Sequence, residues 1–363
     1  MVIAIFLITL WANFASPENL SAEEANKVSI GAIIPLSGDI SSWGINVKRG
    51  IELAANEVDN ISVTYEDESF CNAAKALSGA QRLIADSVRI LITGCLNGTR
   101  VISPLAERRE LLVLSAGLLS GTETESSLRY MLSLSGQIAS EGQALAKLIS
   151  ESGFKRLAFV RYDDEFTLAV RDAIESAVPR PQEIIDLPVP AETNDFMPQL
   201  LRAKQRGADS LLIYLGESPV LTFMRQRSAI GLTLSVFSGY VVESNAIPLG
   251  ERRWLDGITY TYPKLAPSSD PLRISFEETY KQTYGAAEQP NSNTYFVYDG
   301  IKNLSAALQA CPKEGLPCIR SYFLQNSPFS GVSGSFSYTK QGFVQRDFIV
   351  KRVINGSFVE AQG

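Results

Sequence analysis

Apolar positions along the chain recur with two periods in turn. Residues 27–36, "KVSIGAIIPL", form an almost unbroken apolar run of strand length, and Trp43, Val47, Ile51, Ala54, Ala55 and Val58 then return at helical spacing. The alternation repeats at once: 72–86 predicts a helix, 89–94 a strand, 99–110 a helix whose start Pro104 delays or kinks, and 111–117 a strand. A helix at 137–153 opens a second series, in which strands at 156–162, 183–190 and 210–216 alternate with helices near 166–177, 195–206 and 219–230. Strands separated by helices of about 10–15 residues make parallel sheets with right-handed crossovers. Two such series predict two α/β lobes, and since no low-complexity linker divides them, the lobes are expected to be joined by strands.

The start of the chain breaks this pattern. Residues 1–12, "MVIAIFLITLWA", are one apolar run, too short for the roughly 20 residues that span a bilayer and suited to the apolar core of an export signal. The polar stretch that follows makes 1–26 a leader, with Ala15 or Ala22 as the small residue before the cut. No Lys or Arg precedes the run, so the true start lies upstream or the leader is atypical. The four cysteines agree with export into an oxidising compartment. They allow three pairings, and the local ones, Cys71 with Cys95 and Cys311 with Cys318, are favoured. Neither close pair has the short gap of zinc ligands, and no cysteine follows the apolar run closely enough to carry a lipid.

Composition removes several classes of function. The chain of 363 residues is 45% hydrophobic and 20% charged with a net charge of -6, an ordinary globular balance without the basic run that a nucleic-acid surface needs. It contains no histidine, so neither a Ser-His-Asp nor a Cys-His nucleophile pair can be assembled, and His-ligated metals are excluded. Neither phosphate-cradling glycine motif is present. Carboxylate chemistry has candidates in "YEDES" (65–69) and "YDDEF" (162–166), which read better as solvated strand-end loops. The expectation is a protein without cofactor, metal or catalysis.

In open parallel sheets, ligands bind beyond the carboxyl ends of the strands, where turns and helix N-termini present free N–H groups. The turns at 35–44, 94–99 and 115–121 occupy that place.

The stretches "PLSGDISSWGINVKRGIELAANEVD", "CNAAKALSGAQRLI", "ILITGC" and "LLVLSAG" resemble the type I periplasmic solute-binding proteins of the leucine/isoleucine/valine-binding branch. The resemblance continues through "KRLAFVRYDDEF" and "NTYFVYDGIKNLSAAL" to "FSGVSGSFSYTKQGFVQRDFIVKRVINGSFV", covering essentially everything after Lys27, and the spacing of Cys71 and Cys95 is similar to that family's disulfide. It implies the two-lobed periplasmic-binding-protein type I fold, each lobe a mainly parallel sheet flanked by helices, with three crossing segments. One lobe would take 27–138 and 265–335, the other 139–264 and 336–358. The implied function is that of a monomer in the periplasm that closes on a small-molecule solute and delivers it to ABC transporter permease subunits.

Amino-acid-binding members of the family hold the ligand carboxylate with hydroxyls and N–H groups on the turns after the third and fourth strands, and the ammonium partly with an acid of the second lobe. Carried onto this chain, the first turn supplies Asn97, Gly98 and Thr99. The hydroxyl expected two residues after Gly117 is Leu119, Phe166 takes the usual aromatic place, Glu217 stands where many members have an aromatic, and the acidic anchor falls on Gly239 with Glu243 nearby. Trp43 joins them from the first turn. Each has a structural alternative: Trp43 and Phe166 as inward-packing apolar residues, Glu217 as a helix N-terminal acid. Tyr240 is a possible cleft aromatic, and Tyr260 with Tyr262 reads as one face of a strand. The ligand implied is a branched-chain amino acid or related amine with Glu217 or Glu243 as counter-charge. The departures leave open an amide, a urea-like compound or an organic acid, or a ligand sensor domain in place of a transporter component.

Overall fold

The computed structural model describes residues 27–361 apart from 122, 124, 245, 313 and 314, so the expected leader at 1–26 lies outside the described residues. The first sheet takes strands β1 (Val28–Ile34), β2 (Ile61–Asp67), β3 (Ile90–Thr93), β4 (Leu112–Ser115) and β5 (Met131–Ser133) in the order β2-β1-β3-β4-β5, all parallel. Their apolar runs are nearly continuous because both faces are covered by helices. Ile30, Ala32 and Ile34 of β1, Ile90 and Ile92 of β3, and Leu112 and Leu114 of β4 turn to one face, where helix α1 (Ser41–Asn56) contributes Val47, Ile51 and Ala54. Ile33, Leu91 and Val113 turn to the other, against Ala76, Ala80 and Leu83 of α2 (Ala73–Ala85) and Ile102 and Ala106 of α3 (Leu96–Arg109). The two-residue period of a strand thus divides each run between two helical layers. A helical turn, α4 (Glu125–Leu128), precedes β5.

Helix α5 (Ile138–Glu151) buries Ile138, Leu145 and Ile149 in a separate core and opens the second lobe. There β6 (Arg156–Tyr162), β7 (Glu183–Val189), β8 (Ser210–Tyr214), β9 (Ser235–Ser238) and β10 (Thr259–Pro263) run parallel. Helices α6 (Glu165–Ser176), α7 (Met197–Gln205) and α8 (Glu217–Ala229) connect the first four. An antiparallel hairpin, β14 (Phe348–Ile354) and β15 (Ser357–Glu360), extends the sheet beside β10 to give the order β15-β14-β10-β9-β8-β6-β7. Its turn is Asn355-Gly356 at φ 51° and 72°, the pair of positive φ values that favours Asn-Gly in tight hairpins.

Between the two visits to the second lobe the chain returns to the first through α9 (Pro271–Tyr284), α10 (Ser292–Ala310) and α11 (Gly315–Gln325). Tyr295, Phe296 and Val297 of α10 complete the core against α1. The lobes are therefore joined at three places, between β5 and α5, between β10 and α9, and at residues 346–347 ahead of β14. Both local disulfides form, Cys71–Cys95 with Cα atoms 5.3 Å apart and Cys311–Cys318 at 5.9 Å.

The third crossing comes later than 335/336. Strands β11 (Phe329–Gly331), β12 (Gly334–Tyr338) and β13 (Val344–Gln345) form a small antiparallel sheet whose Phe336, Tyr338 and Val344 belong to the first lobe's core. Tyr338 meets Phe323 of α11 edge-on at 5.7 Å and Phe336 stacks on Phe329 of the neighbouring β11 at 5.7 Å, and these aromatic contacts hold 336–345 in the first lobe. A second difference is that α3 starts at Leu96, with Cys95 as its N-cap, instead of at residue 99, and Pro104 sits inside it without delaying its start.

Candidate functional site

The carboxyl ends of the parallel strands of both lobes converge on a cavity of about 310 Å³. The first lobe contributes Asp39, Ile40 and Trp43 where β1 leads into α1, Phe70 and Cys71 after β2, Gly94 to Asn97 after β3, and Gly117 and Leu118 after β4. The second contributes Tyr162, Asp164, Phe166 and Thr167 around the start of α6, Tyr214 to Glu217 after β8, and Tyr240, Val241, Glu243 and Ser244 after β9. Asn291, Ser292 and Asn293 at the head of α10 close the wall next to the crossings.

Six of the residues expected from the sequence line this cavity: Trp43, Asn97, Gly117, Phe166, Glu217 and Glu243. Trp43 and Phe166 are half-buried and also pack on the cores of their own lobes, so ligand-facing and core-packing positions coincide. Gly98, Thr99, Leu119 and Gly239 do not line it. Because α3 begins at Leu96, Gly98 and Thr99 fall within its first turn. A Cβ on Gly98 would come within 2.3 Å of Glu68 Oε2, and the buried Thr99 hydroxyl is bonded to Thr93 Oγ1 at 2.8 Å and the Cys95 carbonyl at 2.9 Å. Leu119 is buried in the core on the α2 and α3 side of the first sheet, its backbone bridged to Gln137. Gly239 is backed by buried groups: a Cβ there would lie 2.5 Å from Glu141 Oε1 and 2.6 Å from the Tyr214 hydroxyl.

Glu217 does more than cap a helix. Its Oε1 accepts hydrogen bonds from the Ser42 hydroxyl of the first lobe and the Ser244 hydroxyl of the second, so one carboxylate ties the two walls together. Glu243 sits lower in the second lobe, ion-paired with Lys351 at 2.5 Å and accepting the Tyr260 hydroxyl at 2.5 Å. Tyr260 and Tyr262 are buried and do not line the cavity, whereas Tyr240 does. Other contacts between lobes surround the cavity: Phe70 meets Tyr162 edge-on at 5.6 Å, Arg100 pairs with Glu165 at 2.7 Å, and Leu96 and Leu118 join the second lobe's core.

The acidic strand-end loops are not simply solvated. Glu68 of "YEDES" is fully buried, accepts the Cys95 N–H at 2.8 Å, and is pushed by burial up to about 8. Tyr162 and Phe166 of "YDDEF" line the cavity, while Asp164 caps α6 by accepting the Thr167 N–H at 2.8 Å. The Tyr162 hydroxyl, raised by burial to about 12, accepts the Gly216 N–H at 3.1 Å. Behind Tyr214 and Gly239 lies Glu141, fully buried and raised by burial to about 7. Phe70, Tyr162 and Tyr214 were missed as site residues, and Tyr240 was read only as a possible cleft aromatic. Each of these aromatics stands at, or within three positions of, the end of a parallel strand, and that position was the available signal.

Among the described residues no group of three or more His, Cys, Asp or Glu side chains could hold a metal ion. The cavity presents aromatic surface, a few hydroxyls and amides, and carboxylates, an arrangement suited to binding.

Residues 27–357 match the family model described as periplasmic binding protein. The Leu/Ile/Val-binding protein homolog 2 of Brucella abortus (strain 2308) is 21% identical over 333 residues, 87% of each chain. Among solved structures, the branched-chain amino acid transporter substrate binding protein LivJ of Streptococcus pneumoniae, in complex with isoleucine, superposes with a TM-score of 0.78 at 17% identity, covering 92% of this chain and 100% of that one. A solute binding protein of an ABC transporter from R. palustris, in complex with benzoate, does so with a TM-score of 0.78 at 15% identity, covering 92% and 95%. At these identities the structural likeness establishes the fold.

Proposed function

The chain belongs to the periplasmic binding protein family, and from that premise we propose that it captures one small solute between its lobes outside the cytoplasm and delivers it to the permease of an ABC transporter. The observation that carries this reading is the cavity itself: both lobes wall it with strand-end residues, and Glu217 is held by one serine from each side. Each lobe has its own core, so the motion available is a rigid rotation about the three crossings. A solute that touches Trp43 on one wall and Phe166 on the other stabilises the closed arrangement by its differential contacts, and closure is what a permease can read.

The ligand in this reading is an amine-bearing solute of amino-acid size, its apolar body against Trp43 and Phe166 and its charge near Glu217. Curated relatives named for leucine, isoleucine and valine support that class. Thermal melting of the protein against amino acids, amines, amides, urea-like compounds and organic acids tests it. A solute present at 100 times its Kd adds about 2.7 kcal/mol of stability, and small-angle scattering reports the accompanying compaction. A panel without any shift or compaction overturns the reading.

A further inference from the structure

We propose that the cleft is built for an organic cation lacking a carboxylate, an amine or quaternary ammonium on an apolar body, because its lining combines four carboxylates with aromatic rings and, among the described lining residues, holds no Lys or Arg. This rests on the solute-binding reading and narrows it.

The first argument is charge. Asp39, Asp164, Glu217 and Glu243 line the cavity, and among the described lining residues there is no Lys or Arg. Among the described residues only Glu243 of these four is seen in an ion pair, with Lys351 at 2.5 Å. Asp164 takes the Thr167 N–H and Glu217 takes seryl hydroxyls, neutral donors that leave the negative charge uncancelled. At the rim, Arg100 is engaged by Glu165 at 2.7 Å. A cleft of one sign with low-dielectric walls concentrates ligands of the opposite sign. Trp43, Phe70, Phe166 and Tyr214 add ring surface, which attracts ammonium groups through the aromatic quadrupole.

The second argument concerns where an anion would sit. Helix N-termini are the usual protein site for a carboxylate, since their first N–H groups lack intrahelical partners. At α3 the N-cap residue Cys95 donates its N–H to Glu68 Oε1 at 2.8 Å, and Glu68 Oε2 lies only 2.3 Å from where a Cβ on Gly98 would be, so a buried carboxyl stands behind this helix end, away from the cavity lining. The α6 end is closed by Asp164, and the α10 end by Asn291, which accepts the Thr294 N–H at 3.1 Å. At α8 the Gly216 N–H goes to the Tyr162 hydroxyl at 3.1 Å. Independently, Glu141 lies fully buried behind the Tyr214 wall, next to the Tyr214 hydroxyl and Gly239. An acid backing the wall favours positive charge in front of it.

Isothermal titration of the exported protein with solutes sharing one body separates the charges: 3-methylbutylamine and leucinamide as cations, leucine as zwitterion, 4-methylpentanamide as neutral and 4-methylpentanoate as anion, with a phenyl series alongside. The cations are expected to bind at least tenfold tighter than leucine, and the anion not at all. Glu217→Gln is expected to weaken the cations roughly tenfold to hundredfold and to leave the neutral amide unchanged. Tighter binding of leucine, the neutral amide or 4-methylpentanoate than of the amine overturns the cation assignment while leaving solute capture standing. Absence of binding by every member of both series overturns both. If the Glu217→Gln variant does not melt cooperatively, the amine and amide isosteres on the unaltered protein decide the question alone.

Discussion

Glu68 has one donor, the Cys95 N–H, with Asp67 as the neighbouring charge, and burial raises its carboxyl from 4.5 to about 8. The folded state then keeps a proton that the unfolded chain releases near 4.5. The stability it contributes is present below that value and is lost as the pH rises through about 8. Glu141, raised to about 7 by burial, acts with the same sign over a narrower window. Urea denaturation is therefore expected to show lower stability at about pH 8.5 than at about pH 5.5, by on the order of 5 kcal/mol, with Glu68→Gln removing the larger part of the difference and leaving that of Glu141. A native chain that grows more stable over this range contradicts the assignment. Residue orientation is also where the sequence was least legible. Successive helical residues are rotated by about 100°, so on one turn Asn97 reaches the cavity, Gly98 faces Glu68 and Thr99 turns in to Thr93. Placing the start of α3 three residues late is enough to lose that distinction.

At the scale of elements, periodicity located most helices and strands of the two α/β series, because each strand is covered on both faces and each helix on one, while the short β5 and β9 escaped it. The small β11-β12-β13 sheet escaped it: three short strands are held by aromatic contacts from α11 that lie outside their own pattern. The Cys71–Cys95 disulfide joins the end of β2 to the N-cap of α3, staking both cavity turns to each other across a separation of 24 residues. Replacing both cysteines with serine is expected to cost about 3 kcal/mol in the chain-entropy account and to weaken ligand binding through the loosened Asn97 turn. Denaturation of the double variant measures the first effect and titration the second. An unchanged midpoint refutes the stabilising role.

At the scale of the whole molecule, closure depends on what spans the lobes. The Arg100–Glu165 pair does so at 2.7 Å, yet both side chains are about half exposed, 53% and 52%, so the pair is screened by solvent. Arg100→Ala is expected to change ligand affinity by less than about fivefold, against the larger effect expected at Glu217. A loss at Arg100 equal to that of Glu217→Gln, read by titration, places closure at the rim instead of at the cavity. The sequence by itself determined the two lobes, their order of strands and helices and the strand-end turns that carry the site, because periodicity and turn chemistry act between near neighbours. Only the tertiary structure decided the charge of the cavity. Glu68 meets Cys95, Glu141 meets Tyr214 and Gly239, and Glu217 meets Ser42 across separations that no local pattern reports, and burial then raises the carboxyls of Glu68 and Glu141.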